Sequence, residues 1–138
     1  MVTMSRQEMI AVASTYLDAL VSHDASAVPL APNCWRTEEG KNSGIGADDI
    51  RTRIKSEVMH GISGYRDLRW WVDGDDVIAF YMLDAGATAQ IVERFRVIDG
   101  LLHEIEAVFY IHPGANVDRW PVDLENVWPQ PGAEGGTG

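Results

Sequence analysis

The sequence predicts a segregated α+β domain, with two helices followed by a meander of long strands that forms an antiparallel sheet. Three observations carry this reading. Apolar residues recur every three or four positions in two stretches, Met9–Val21 and Ile50–Val58. From Tyr65 to Ile111, β-branched and aromatic runs alternate with Asp/Gly turns. The two patterns are consecutive rather than interleaved, which excludes an alternating βαβ chain with a parallel sheet.

Ser5-Arg6-Gln7-Glu8 fits a capping box, in which Ser and Glu satisfy each other's free backbone N–H groups. Met9, Ala13, Tyr16 and Leu20, with Ile10, Leu17 and Val21 beside them, make one apolar stripe on a helix of about four turns. It is expected to end near His23-Asp24, and Pro29 and Pro32 stop any helix beyond. Asn33 to Glu39 reads as a short strand and Gly40 to Gly46 as a loop. A second helix over Ala47–Met59 opens on Asp48 and Asp49, where the helix dipole favours acids, and turns Ile50, Ile54 and Val58 to the core. Tyr65–Val72, Val77–Leu83, Ala89–Val97 and Leu101–Ile111 are the remaining strands. A domain over residues 1–113 is expected, then a Pro- and Gly-rich tail over 114–138 that is disordered from Ala133.

The last hairpin, around Asp99-Gly100, admits two registers. A two-residue turn sets Glu93 against Glu106 and Phe95 against Glu104. A three-residue loop sets Glu93 against Ile105, Phe95 against His103 and Arg94 against Glu104. Opposed unlike charges gain about 0.2–1 kcal/mol and like charges lose as much, which favours the second. The inner face then carries Ile91, Phe95, Val97, Leu101, Ile105, Ala107 and Phe109, with only Glu93 and His103 polar among them. A carboxylate inside an apolar face tends to take up a proton rather than stay charged and unpaired.

Bulk properties narrow the function. The 138 residues are 46% hydrophobic and 23% charged, a globular composition. A formal charge of −10 argues against nucleic acid as a partner. Cys34 is the single cysteine, so neither an intrachain disulfide nor a cysteine zinc cluster is expected. No apolar run approaches about 18 residues, so no membrane partner is expected. Arg6, Gln7 and Glu8 interrupt the first apolar stretch, so no signal peptide is expected and the default compartment is the cytoplasm. His23, His60 and His112 lack mutual metal-ligand spacing, so no metal site is read.

The layout resembles the nuclear transport factor 2-like superfamily, which includes the ketosteroid isomerases and the SnoaL-like polyketide cyclases. The likeness spans roughly Ser5 to His112. It rests on Tyr16-Leu17-Asp18-Ala19-Leu20 before the His23-Asp24 turn, and on Glu93-Arg94-Phe95-Arg96-Val97-Ile98-Asp99-Gly100-Leu101-Leu102. It implies a cone-shaped curved sheet wrapped around the helices with an internal pocket, a homodimer formed through the outer sheet face, and no cofactor. By the same resemblance Tyr16 and Glu93 match the two hydrogen-bond donors to an enolate, and Glu38, or Glu39, lies near the position of the base. Both acids are Glu where the isomerases carry Asp, so each reaches roughly 1.5 Å further and a steroid substrate is not implied.

The candidate catalytic residues are thus Tyr16, Glu38, Glu93 and His103, with His103 an alternative base. Trp35, Phe95, Ile105 and Phe109 are the candidate pocket walls for a small apolar molecule. Each has a plainer reading: Glu93 as a carboxylate satisfied by a buried tyrosine, Tyr16 and the other aromatics as core, Glu38 as a solvated strand end. Parity leaves open whether Cys34-Arg36-Glu38 or Trp35-Thr37-Glu39 faces inward. The functional expectation is an isomerase, cyclase or dehydratase working by proton transfer, and the alternative is a non-catalytic binding domain. An epoxide hydrolase is disfavoured, because Glu93 and Arg94 are adjacent on a strand and point to opposite faces.

Overall fold

The computed structural model describes residues 3–112 and Trp120, with the side chain of Met59 excepted. Helix α1 (Arg6–Ser22) starts at the expected capping box. The Ser5 hydroxyl accepts from the Glu8 N–H at 3.1 Å, and the Ser5 N–H donates to the Glu8 carboxylate at 2.8 Å. It stops where His23 turns left-handed, at φ 62°, and returns its N–H to Ala19. Met9, Ala13, Tyr16, Leu17, Ala19 and Leu20 are buried, so the predicted stripe is the packed one.

Strands β1 (Leu30–Glu38), β2 (Lys41–Ile45), β3 (Gly64–Asp73), β4 (Asp76–Ala85), β5 (Ala87–Ile98) and β6 (Leu101–His112) form one sheet in the order β2-β1-β6-β5-β4-β3. The sheet is mixed rather than wholly antiparallel, because β1 runs parallel to β6. The first strand comes from the helical half of the chain and must cross α2 and half the sheet before meeting its neighbour, so hairpin logic does not reach it.

Two further differences lie between β1 and α2. The stretch read as a loop is β2, hairpinned onto β1 with Gly44 opposite Arg36. A Cβ on Gly44 would come within 2.6 Å of Ile50 Cγ1, so glycine there lets α2 (Ala47–Ser56) lie directly on the strand. Strand β1 also begins earlier than expected. Pro32 is accommodated where the β1–β6 register slips between Leu30 and Trp35, and there its missing N–H costs no ladder bond. Helix α2 gives way to a 3₁₀ turn over Glu57–His60, whose tighter winding swings Val58 out to solvent instead of into the core.

The β5–β6 hairpin takes neither register foreseen. Asp99 and Gly100, at φ 51° and 79°, form a two-residue turn pairing Ile98 with Leu101. A bulge at His103 then shifts the ladder, giving Arg96↔Glu104, Phe95↔Ile105, Arg94↔Glu106 and Glu93↔Ala107. Unlike charges do face each other, but through a residue added to β6 rather than to the loop. Arg94 reaches Glu106, Glu104 and Asp76 on the outer face, at 3.1, 2.8 and 2.8 Å. The bulge also reverses the roles of Leu101 and Leu102: Leu102 is buried and Leu101 exposed.

Trp120 sits on the outer face of β3 and β4. Its N–H donates to Asp67 at 2.6 Å, its ring packs on Phe80, and the Arg69 guanidinium lies over both rings. The tail expectations otherwise fall outside the described residues. No helix is long and apolar enough to cross a membrane among them.

Candidate active site

Between α1, the 3₁₀ turn and the inner face of β1, β4, β5 and β6 lies a cavity of about 510 Å³. Its walls are apolar, with Leu20, Ile62, Leu83, Ala89, Ile91 and Phe109 prominent. Its polar lining is Tyr16, Glu38, Glu57, His60, Tyr81 and Glu93.

Sheet register places two of the acids. Ala107 on β6 pairs with Glu38 of β1 on one side and with Glu93 of β5 on the other. The three residues form one row across adjacent strands and share a face, so the two acids flank an alanine with backbones roughly 10 Å apart. This settles the parity of β1: Cys34, Arg36 and Glu38 face inward. Glu39 turns left-handed at φ 54° and its carboxylate takes the N–H of Phe109, tying β1 to β6.

Glu93 is 2% exposed and takes the Tyr81 hydroxyl on Oε1 at 2.6 Å. Burial lifts its pKa to about 7; the Tyr81 bond and the Arg36 charge oppose the rise, and the carboxylates of Glu38 and Glu57 add to it. It has no salt bridge among the described residues, unlike the ionised, paired carboxylate of a purely structural role.

Tyr16 reaches the cavity from α1 by way of a residue the sequence reading overlooked. Arg36, also 2% exposed, donates from Nη1 to the Tyr16 oxygen at 3.1 Å and from Nη2 to Glu57 at 2.6 Å. Its Nε donates to Ser43, at 3.1 Å to both the carbonyl and the hydroxyl. Burial works against the guanidinium's charge, but the Tyr16 oxygen and Glu57 carboxylate outweigh it and hold Arg36 firmly protonated. Burial and the nearby Glu93 push the Tyr16 hydroxyl well above its usual range, so it keeps its proton. Since Arg36 only donates, Tyr16 accepts from it and its own proton is left for the cavity.

Of the candidate residues, Tyr16, Glu38, Glu93 and Phe109 line this cavity. His103 does not: it occupies the β6 bulge at the far end of the hairpin and lies outside the lining, so it is withdrawn as a base. Phe95 and Ile105 are fully buried core beneath the cavity floor, with Phe95 edge-on to Tyr16 at 5.4 Å between ring centres. Trp35 lies on the opposite face of β1. None of these three is a cavity wall. Cys34 is buried and its thiol is pushed up to about 12, chiefly by burial, which suits packing. No group of three metal-ligating side chains occurs among the described residues.

The overlooked residues had signals. Tyr81 alternates with Val77, Ala79 and Leu83 on the buried face of β4. Glu57 follows Ile50 and Ile54 at steps of four and three, the inward stripe of α2.

The chain is similar in structure to several solved proteins. A candidate ketosteroid isomerase from Kribbella flavida shares 21% identity at a TM-score of 0.64, covering 86% of this chain and 93% of that one. An NTF2-like protein of unknown function from Cytophaga hutchinsonii shares 16% at 0.62, covering 82% and 96%. An LEH-like epoxide hydrolase from M. tuberculosis shares 19% at 0.60, covering 75% and 84%. No curated protein matches the chain. These likenesses establish the nuclear transport factor 2-like fold. The family model described as "Domain of unknown function (DUF8021)" matches residues 2–109, and the chain belongs to that family.

Proposed function

We propose that the protein is a cofactor-independent enzyme of ketosteroid isomerase-like or SnoaL-like type, moving a proton on a small, largely apolar carbonyl or hydroxylated compound. Isomerisation, cyclisation and dehydration all fall within that chemistry. The observation that carries the reading is the Glu38–Ala107–Glu93 row: two carboxyl groups in one apolar cavity, with burial raising Glu93 to about 7. A pair of acids in unlike environments divides into a base and a proton donor.

Glu38, on the more open side, takes the proton from carbon. The charge this leaves on the substrate oxygen is met by the Tyr16 hydroxyl and by protonated Glu93, fixed donors in a site poor in water. Glu38 then returns the proton to a neighbouring carbon, or the substrate loses hydroxide as water with a proton from Glu93.

Ketones with exchangeable α-hydrogens, incubated in deuterium oxide and followed by proton NMR, test this. Enzyme-dependent exchange is expected, falling by about 10²-fold or more in Glu38→Gln and Glu93→Gln. A non-catalytic binding role is the second reading, favoured by the Tyr81–Glu93 bond. It gains the argument if cyclic ketones and enones show saturable binding without exchange.

A further inference from the structure

We infer that the natural ligand of this cavity carries a basic nitrogen and is held as an ammonium ion over Ala107, between Glu38 and Glu93. The inference rests on the reading of the cavity as a small-molecule reaction site and narrows its substrate to apolar amines that also bear the reacting carbonyl or hydroxyl.

Carboxyl groups outnumber basic side chains in the cavity lining, where His60 is the single imidazole among the described residues. Among the described residues Glu38, Glu57 and Glu93 contribute carboxyl groups, and no Lys or Arg joins them in the lining. The nearby guanidinium, Arg36, is outside the lining and bonds to Tyr16, Glu57 and Ser43. Glu38 makes neither a salt bridge nor a hydrogen bond among the described residues. Glu93 spends Oε1 on Tyr81, and its Oε2 has no partner among them although the residue is 2% exposed. A buried carboxyl with a spare oxygen, facing an unpaired carboxylate, calls for a donor or a cation from the ligand.

The geometry fits a nitrogen. The side chain between the two acids is a single methyl, so a notch opens over Ala107, flanked by glutamates on the strands to either side. An ammonium group brings up to three N–H donors and is a favourable partner for two neighbouring carboxyl groups. The apolar walls receive the carbon body.

The same cation assists the chemistry. When Glu38 removes a proton from carbon, the C–H electron pair becomes an enolate whose oxygen faces the Tyr16 hydroxyl and protonated Glu93. An ammonium nitrogen near the reacting carbon balances that charge and makes the C–H bond more acidic. One Glu38 oxygen pairs with the nitrogen while the other takes the proton.

Three probes sharing one apolar body separate the possibilities: cyclohexylmethylamine, cyclohexylmethanol and cyclohexanecarboxylate, titrated into wild-type protein at neutral pH while the Ala107 methyl resonance is followed. The amine is expected to bind about tenfold or more tighter than the alcohol, with the carboxylate weakest. Glu38→Gln is expected to bring amine and alcohol to within about twofold of each other. If the alcohol or carboxylate matches the amine in wild-type protein, or if none of the three binds saturably, the inference is overturned. Proton transfer fails separately, through ketones that do not exchange deuterium even while the amine binds.

Discussion

Arg36 donates a hydrogen bond to the oxygen of Tyr16 across 3.1 Å, linking β1 to α1 and leaving the tyrosine's proton for the cavity. The guanidinium is also the counter-charge of Glu57, which is 14% exposed. Arg36→Met would leave that carboxylate unpaired and strand the Ser43 acceptors. A loss on the order of 3–5 kcal/mol is expected from urea unfolding. A loss under about 1 kcal/mol would show that the network contributes little to the fold.

Glu93 gives stability a particular pH dependence. Its folded pKa of about 7 lies above the ordinary value of 4.5, so the native state binds the proton more tightly. Its favourable contribution is complete below about 4.5, declines as pH rises, and is gone above about 7. The decline amounts to the order of 3 kcal/mol. Glu93→Gln keeps the shape and an acceptor for Tyr81, and is expected to remove this decline and exceed the wild type in stability at pH 8. A wild-type stability curve unchanged by the substitution between pH 5 and 8 would contradict the buried neutral acid.

Tyr81 stabilises the charged form of Glu93 by donating to it at 2.6 Å. Tyr81→Phe is expected to move the Glu93 titration above about 7, as read by carboxyl carbon NMR. A downward move would mean that the hydroxyl favours the neutral acid instead.

Gly44 separates β2 from α2 with no space to spare. Gly44→Ala, with its Cβ 2.6 Å from Ile50 Cγ1, is expected to cost about 1–3 kcal/mol in thermal or denaturant unfolding. Ile50→Val in the same background should restore part of it, and failure to do so would place the strain elsewhere.

These properties were unequally legible in the sequence. Helix α1 was readable to within a residue because its capping box and apolar stripe are local signals. The β3–β6 meander was readable for the same reason, each turn carrying its own Asp/Gly mark. Partnership of β1 with β6 was not, since a parallel pairing leaves no trace in nearby residues. Strand β2, Lys-Asn-Ser-Gly-Ile, has one β-branched residue and is a strand only because β1 and α2 hold it.

The site was half legible. Tyr16, Glu38 and Glu93 were found through resemblance and through the oddity of an acid on an apolar face. Arg36 went unread because the face of a short strand cannot be told from parity alone. Tyr81 went unread because an aromatic on a buried strand looks like ordinary core until its hydroxyl has a named acceptor. His103 was misplaced by one assumption about the hairpin, and Leu101 with it.

That hairpin makes the cavity's contents depend on a residue that never touches it. His103 is the extra residue that brings Ala107, rather than Glu106, opposite Glu93. Were the bulge ironed out with His103 kept in the ladder, the far half of β6 would slide back by one place, drawing Glu106 into the row and turning Ala107 to the outer face. The notch would close and another acid would crowd the first two. In a hairpin of this kind a single bulge decides which residues wall the pocket, whereas point changes within it alter one wall at a time.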